Sequence, residues 1–150
     1  MRVVIQRVNS ASVVVNNLTV GAIQNGLLVF AAWEESDTQE DIEWMCNKII
    51  NQRIFTDNEG KMNLSLSDTN GSILLVSQFT LFASTKKGNR PSFIKSAKPD
   101  KAERLYQNTI DCLKQKLEAP IATGVFGADM KVSLENDGPV TIVMDSKNKE

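Results

Sequence analysis

The sequence predicts a single layered α/β domain in which two main helices cover one side of a mixed sheet. Segments of strand character lie before, between and after two segments of helical character. Each helical segment is apolar on one side only, so that side needs a sheet beneath it. The sheet then has an apolar second face, which a further β layer could cover.

The composition fits one domain spanning residues 1–150. The chain is 41% hydrophobic, and a domain of this size buries about 68 to 70% of the surface of its unfolded chain. We find no apolar run of about 18 residues and no basic leader before an apolar segment, so we expect no membrane span, no signal peptide and a cytoplasmic location. Residues 145–150 are expected to form a mobile tail.

The chain contains no histidine. This excludes Ser-His-Asp and Cys-His hydrolases and the usual histidine-containing zinc sites. Cys46 and Cys112 fall on the two predicted helices with no thiol or histidine nearby, so we expect core cysteines in a reducing compartment. We expect no metal and no cofactor.

The chain opens with β structure. Arg2–Val8 and Ser12–Val15 are rich in valine and isoleucine, and Asn16-Asn17 suits a tight turn with positive φ. Asn25-Gly26 is a second hairpin signal, followed by Leu27–Trp33, an apolar run long enough for a central strand.

A first helix is predicted over Asp37–Gln52. Ser36 followed three residues later by Gln39 is a capping-box pattern, and apolar residues then recur at helical spacing at Ile42, Met45, Cys46, Ile49 and Ile50. Trp44 flanks this stripe, so we interpret it as a packing residue and not as a platform for a base. A half-buried strand is then predicted where apolar and polar residues alternate, at Met62, Leu64 and Leu66.

The stretch Gly71–Phe82 changes character along its length. Ile73–Val76 is a continuous apolar run, typical of a strand covered on both faces. Three polar residues, Ser77, Gln78 and Thr80, then interrupt it. Because an unsatisfied buried polar group costs about 1 to 3 kcal/mol, these side chains either reach solvent or line a cavity. Composition alone supports both interpretations equally.

Residues 83–98 are rich in glycine, serine and lysine, which is typical of a functional surface loop. We interpret Phe93 as a plug that packs this loop onto the core. Pro99 suits the first position of a second helix, and Pro120 ends that helix. Three more strands are predicted at Ile121–Phe126, Met130–Leu134 and Val140–Met144, the last two joined around Asn136–Gly138.

Charge is unevenly distributed, although the net charge is only −1. From Lys86 to Arg104, only Asp100 and Glu103 oppose the cations Lys86, Lys87, Arg90, Lys95, Lys98, Lys101 and Arg104. An earlier stretch is acidic, with Glu34, Glu35, Asp37, Glu40, Asp41 and Glu43. One face could hold phosphate while the other repels it, or both could be ordinary solvated surfaces.

Three motifs, in order, resemble those of the D-aminoacyl-tRNA deacylases, which are proofreading hydrolases of translation. They are Ser77–Leu81, Gly88–Phe93 and Asn136–Thr141, and the resemblance covers nearly the whole chain from Ile5 onward. It implies a three-layer α/β/β fold, aminoacyl-tRNA as the substrate, and a homodimer with active sites at the subunit interface.

The resemblance also implies roles for particular residues. The catalytic group is Ser77, Gln78, Phe79 and Thr80. Gly138-Pro139 is implied to be a cis dipeptide that is supported by Arg7, enters the partner's pocket and rejects L-amino acids. On residue type alone, Arg7 could equally reach solvent and Gly138-Pro139 could be an ordinary hairpin. The residues assigned to tRNA and its terminal adenosine are Phe126, Ala128, Met130, Lys86, Lys87, Arg90, Pro91, Ser92 and Phe93.

An aminoacyl ester is activated, so its hydrolysis does not require a strong protein base. Backbone amides near Phe79 and Thr80 could stabilise the developing oxyanion, and one such donor is typically worth about 2.7 to 4 kcal/mol. Thr80 could instead attack as a nucleophile, but no carboxylate lies near it in the sequence to activate it. We therefore prefer catalysis assisted by the substrate's 2′-hydroxyl, and we expect glycyl-tRNA to be hydrolysed as well.

Two other function classes stay open. A non-catalytic tRNA- or DNA-binding dimer would use the basic segment without the polar strand end. An amidase of small D-amino acid derivatives would need the pocket without that segment.

Overall fold

The computed structural model describes residues 1–150. It contains a six-stranded mixed sheet and a separate two-stranded ribbon. The strands are β1 (Arg2–Val15), β2 (Leu18–Ile23), β3 (Gly26–Ala32), β4 (Phe55–Thr56), β5 (Met62–Leu64), β6 (Ser72–Ser77), β7 (Ile121–Thr123) and β8 (Lys131–Asp145). The helices are α1 (Gln39–Asn51), α2 (Leu66–Thr69) and α3 (Pro99–Lys116), with a 3₁₀ turn at Phe79–Phe82.

Strand β1 has partners along both of its edges. β8 pairs with it over nearly its whole length, while β3 and β2 follow one another along the other edge. The turn at Asn16-Asn17 is confirmed, with φ of 49° and 63°. The predicted hairpin at Asn25-Gly26 is wrong, because β2 and β3 both pair with β1 and not with each other.

The middle of the sheet is parallel. β6 lies between β3 and β7 and runs parallel to both. Its residues Ile73–Val76 are all buried, which confirms that this strand is covered on both faces. The strand therefore carries its C-terminal polar residues from the core to one edge of the domain.

Helices α1 and α3 pack together on one face of the sheet, as predicted. They share a core with the strands that includes Ile42, Met45, Ile49, Leu105, Leu113, Val3, Ile5, Val29 and Leu75. Cys46 and Cys112 are buried in it and free, which confirms that they are core cysteines. The two thiols are nonetheless neighbours in space, and burial together with the nearby Cys112 thiol raises the pKa of the Cys46 thiol.

The start of α1 differs from the prediction. Thr38 is the N-cap, and the Asp41 carboxylate accepts hydrogen bonds from its backbone N–H at 2.9 Å and its hydroxyl at 3.1 Å. The Ser36 hydroxyl instead donates to Glu34 at 2.5 Å. Asp37 precedes the helix, and its buried carboxylate pairs with the α-amino group of Met1. Helix α3 begins at Pro99 as predicted.

A second β layer covers the opposite face of the sheet, which confirms the α/β/β arrangement. The last part of β1, together with β2 and the first part of β8, encloses a smaller core of Val8, Ala11, Val13, Ile23, Leu28, Leu74 and Val76. At the other end of β1 the same face is uncovered. There Val143 of β8, opposite Val4 in the register, is 66% exposed.

Several predicted strands have other bounds. The two predicted strands Met130–Leu134 and Val140–Met144 are replaced by the single strand β8, which begins at Lys131. Both of its halves pair with the continuous strand β1, and only register shifts separate them. β7 ends at Thr123. Leu66 begins α2 after the N-cap Ser65, so the alternation seen in the sequence crosses from strand to helix.

The C-terminal residues contact the beginning of the chain. Ser146 N–H donates to the Met1 carbonyl at 2.8 Å, and Lys147 Nζ lies 2.6 Å from Asp41 Oδ2. The mobility of residues 145–150 stays a prediction. No helix is long and apolar enough to cross a membrane.

Candidate active site

The end of β6 is held in place by its neighbour β3. Gln78 N–H donates to the Ala31 carbonyl at 2.7 Å, after which the chain turns into the 3₁₀ segment. The hydrogen bonds of that segment begin with Leu81 N–H, which donates to the Gln78 carbonyl at 3.1 Å. The two preceding amides, of Phe79 and Thr80, therefore have no carbonyl partner within the turn, as is usual at the start of a helical segment.

A cavity of about 640 Å³ opens beside this turn. Its walls include Ser77, Gln78, Phe79, Phe93, Phe126, Ala128 and Met130, all of which the sequence singled out. Ser77 and Gln78 thus line a cavity at the strand end. Thr80 is not part of the lining, although Gln78 Nε2 donates to its hydroxyl oxygen at 2.5 Å. The structure brings the polar strand end and the predicted adenosine region together.

Aromatic rings form the mouth and one wall of the cavity. Phe79 is 55% exposed and meets Phe93 edge to face, with ring centroids 5.1 Å apart. This contact agrees with the prediction that Phe93 packs the loop onto the core. The Phe93 ring also borders the cavity. Phe126 packs on Tyr106, which in turn meets Trp33.

Tyr106 secures this wall from behind. Its hydroxyl lies 3.3 Å from the carbonyl oxygens of Leu75 and Gly124, and burial raises its pKa. A Cβ at Gly124 would lie 2.5 Å from Met130 Sδ, so a larger residue there would force the Met130 side chain to move. The position of Met130 in the cavity thus depends on a glycine outside it.

Sequence reasoning missed several lining residues, among them Trp33, Ile94 and Asp129. Ile94 is 92% exposed at the cavity mouth, in a loop where composition gave no signal for it. Asp129 supplies a carboxylate, but its side chain is 86% exposed and pairs with Lys131 at 2.9 Å. It is therefore not held as a base against Thr80.

Gly138 and Pro139 lie in the bulge of β8, away from the cavity lining, and their peptide bond is cis. The dipeptide is therefore not a hairpin. Arg7 is 8% exposed and supports the bulge, since its Nε donates to the Asp137 carbonyl at 3.2 Å and its Nη1 to the Ile54 carbonyl at 2.6 Å. The alternative in which Arg7 simply reaches solvent is wrong.

The loop between Ser84 and Ser92, which we call the basic loop, forms a separate projection. A pair of backbone hydrogen bonds between Ser84 and Ser92, at 2.8 and 2.9 Å, closes its base. Lys86, Lys87, Arg90 and Pro91 are exposed beyond it and do not line the cavity. The acidic stretch is not a distant face, because the Glu35 carboxylate accepts from Lys98 N–H at 2.7 Å and lies 3.8 Å from Lys101 Nζ.

Comparisons with known proteins place the chain in a family. A family profile described as D-Tyr-tRNA(Tyr) deacylase matches residues 4–145. Proteins named D-aminoacyl-tRNA deacylase are 59% identical in Flavobacterium johnsoniae and 56% identical in Bacteroides thetaiotaomicron, each over 100% of both chains. A solved structure of a "c-Myc DNA Unwinding Element Binding Protein" is 40% identical, with a TM-score of 0.92 over 97% of this chain and 98% of that one. The chain therefore belongs to the D-Tyr-tRNA(Tyr) deacylase family.

Proposed function

We propose that the protein hydrolyses the ester bond of D-aminoacyl-tRNA, as an editing enzyme of translation in the cytoplasm. One observation carries the proposal: the amides of Phe79 and Thr80 have no partner in their turn, which borders the cavity. In a chain without histidine, such donors are the groups best suited to stabilise an oxyanion.

The chemistry of the cavity walls supports a particular orientation of the substrate. The terminal adenine packs against Phe126, Ala128 and Met130, where stacking and apolar contact suit a base. The ester carbonyl then lies at the amides of Phe79 and Thr80. Outside the cavity, the RNA backbone can contact Lys86, Lys87, Arg90 and Pro91 in the loop and Ser92 at its base.

The substrate's own 2′-hydroxyl assists the hydrolysis by transferring a proton. Water adds to the carbonyl carbon, and negative charge develops on the carbonyl oxygen beside the two amides. The bond from carbon to the ribose 3′-oxygen breaks, and the proton lost by the water reaches that oxygen by way of the 2′-hydroxyl. Thr80, whose oxygen accepts from Gln78, positions the turn and forms no covalent intermediate.

The active form is a homodimer in which Gly138-Pro139 of one subunit enters the cavity of the other. Two observations support this assembly. The dipeptide lies outside its own chain's cavity, and the uncovered sheet face exposes Val143 on the side of β1 that the second β layer does not reach. Backbone carbonyls of the dipeptide then occupy the space that an L side chain needs, while glycyl-tRNA, which has no side chain, is accepted.

Replacing Thr80 with its α-hydroxy acid analogue tests the proposal, since this exchanges one backbone N–H for an ester oxygen. The single-turnover rate on D-alanyl-tRNA should fall by about 10² to 10³. Thr80→Ala is the matched control, because it removes the side chain and keeps the amide. A wild-type rate for the ester variant would refute the oxyanion role.

A non-catalytic nucleic-acid-binding dimer is the second candidate, favoured by the similarity to the DNA unwinding element binding protein. It predicts tight binding of duplex DNA and no turnover of D-aminoacyl-tRNA. An amidase would instead hydrolyse free D-alanine amide and methyl ester without tRNA. Measuring the turnover of D-aminoacyl-tRNA, the binding of duplex DNA and the hydrolysis of the D-alanine derivatives side by side separates these functions.

A further inference from the structure

Arg2, at the start of β1, contacts both the 3₁₀ turn and the end of β8. Its Nη1 donates to the Leu81 carbonyl at 2.8 Å, and its guanidinium carbon lies 4.7 Å from the centre of the Phe82 ring. Its Nε and Nη2 donate to Asp145 Oδ2 at 3.0 and 2.8 Å. One guanidinium thus joins the C-terminal half of the turn to the end of β8.

The partner carboxylate is itself fixed. Asp145 is opposite Arg2 in the pairing of β8 with β1, and Lys147 N–H donates to its other oxygen at 2.9 Å. Burial opposes ionisation of Asp145, but these hydrogen bonds and the charge of Arg2 lower its pKa. The anchor for Arg2 is therefore a charged group held by the sheet.

On the side of Arg2, the 3₁₀ turn is restrained by the guanidinium and by its buried residue Phe82, which is 3% exposed. It is only four residues long, and Ala83 N–H closes it by donating to the Thr80 carbonyl at 3.0 Å. Leu81 presents its carbonyl to Arg2, so the guanidinium restrains the peptide unit between Leu81 and Phe82 directly and, through this short turn, the peptide units that precede it. Those units carry the amides of Phe79 and Thr80.

We propose that Arg2, held by Asp145, is a positioning residue that aligns the Phe79 and Thr80 amides for deacylation. It touches no substrate and acts only through the turn. The inference rests on the proposed role of these amides. A misplacement of about 1 Å in such a site lowers the rate roughly 10²-fold, so the effect belongs to the chemical step and not to tRNA binding.

The test uses Arg2→Met in the full-length protein, because methionine keeps an unbranched apolar stem. At saturating enzyme, the single-turnover rate on D-alanyl-tRNA should fall by about 10- to 100-fold, while the enzyme concentration for half-maximal rate stays unchanged. Arg2→Lys, which offers no planar fork, should be intermediate.

Arg53→Met is the matched control. Arg53 Nε also donates to a backbone carbonyl, that of Asn63, at 2.9 Å, but far from the turn. The Arg53→Met variant should react at the wild-type rate. An unchanged rate for Arg2→Met would overturn the proposal. So would a higher enzyme concentration for half-maximal rate with an unchanged maximal rate. Should Arg2→Met fail to fold, Arg2→Lys at the wild-type rate overturns it equally.

Combining Arg2→Met with the Thr80 amide-to-ester change separates this inference from the oxyanion proposal. If Arg2 acts through the amides, the combined loss of rate is smaller than the product of the two single losses. If the losses multiply, Arg2 acts by another route and the inference is wrong. An ester variant with full activity would refute the oxyanion role whatever Arg2 does.

Discussion

Arg7 and Gly138 are in such close contact that no larger residue fits at position 138. A Cβ built there would lie 2.9 Å from Arg7 Nη2 and 3.1 Å from Val140 Cγ2, at a backbone φ of +123°. Both the space and the backbone conformation therefore require glycine. The loop proposed to select chirality is thus fixed by an arginine of the neighbouring strand.

Gly138→Ala should destabilise the fold by about 1 to 3 kcal/mol, because it adds backbone strain and a steric conflict with Arg7. Urea denaturation measures the loss. Gly60→Ala is the control, since Gly60 also has a positive φ, +80°, but a Cβ there would have no neighbour within 4 Å. Equal losses for the two variants would show that the contact with Arg7 adds nothing.

Thr80→Ala should retain substantial deacylation activity, because the hydroxyl is assigned no covalent role. A substrate ending in 2′-deoxyadenosine should lose most of its turnover with the wild-type enzyme. Single-turnover rates on the two substrates give the comparison. Trapping an aminoacyl-enzyme on Thr80 would contradict this assignment.

Replacing Lys86, Lys87 and Arg90 together with alanine should weaken tRNA binding and reduce its salt dependence. Each lost phosphate contact lowers the slope of log affinity against log salt by about 0.7 to 0.9. The exposed residues Lys61, Lys114 and Lys116 provide a control triple variant with the same change of charge. If both triple variants keep the wild-type slope, the basic loop is merely a solvated surface.

The fold should lose stability in acid through Asp41. Burial opposes its ionisation, but hydrogen bonds from Lys147, Thr38 and Ser146 to the carboxylate hold its pKa well below its ordinary value. A lowered pKa in the folded state stabilises the protein above about pH 4, and this contribution disappears as the pH falls further.

Asp41→Asn should therefore lower the free energy of unfolding at pH 7 by about 1.5 to 3 kcal/mol and flatten its decline below pH 4. Urea denaturation from pH 7 to pH 3 measures both effects. Glu40→Gln changes an exposed carboxylate in the same turn and should leave the profile unchanged. A wild-type profile for Asp41→Asn would mean that other carboxylates dominate.

Sequence patterns predicted the elements whose signals are local. The apolar run of β6 and the start of α3 at Pro99 were both confirmed, since a continuous apolar run and a proline without an N–H are both visible in consecutive residues. The division of β8 was wrong because Asn136–Gly138 has the composition of a turn. Only its pairing with β1 shows that the strand continues.

The candidate site was likewise predictable only where its signals lie in consecutive residues. The polar residues after β6 mark an edge of the domain, but nothing local to them indicates that Phe126 and Met130 lie across the same cavity. Asp129 and Trp33 were missed because each reaches the cavity only through the packing of other elements. The contacts of Arg7 depend likewise on the register between β1 and β8.

Rejection of L-amino acids by exclusion is the central claim, and it is tested most directly with three substrates on one tRNA body. Single-turnover deacylation of D-alanyl-, L-alanyl- and glycyl-tRNA should be measured at matched enzyme concentrations. We expect rapid hydrolysis of the D-alanyl and glycyl esters and strong resistance of the L-alanyl ester, since only the L side chain meets the Gly138-Pro139 carbonyls. Glycyl-tRNA as resistant as L-alanyl-tRNA would show that the pocket recognises a D side chain, which contradicts exclusion.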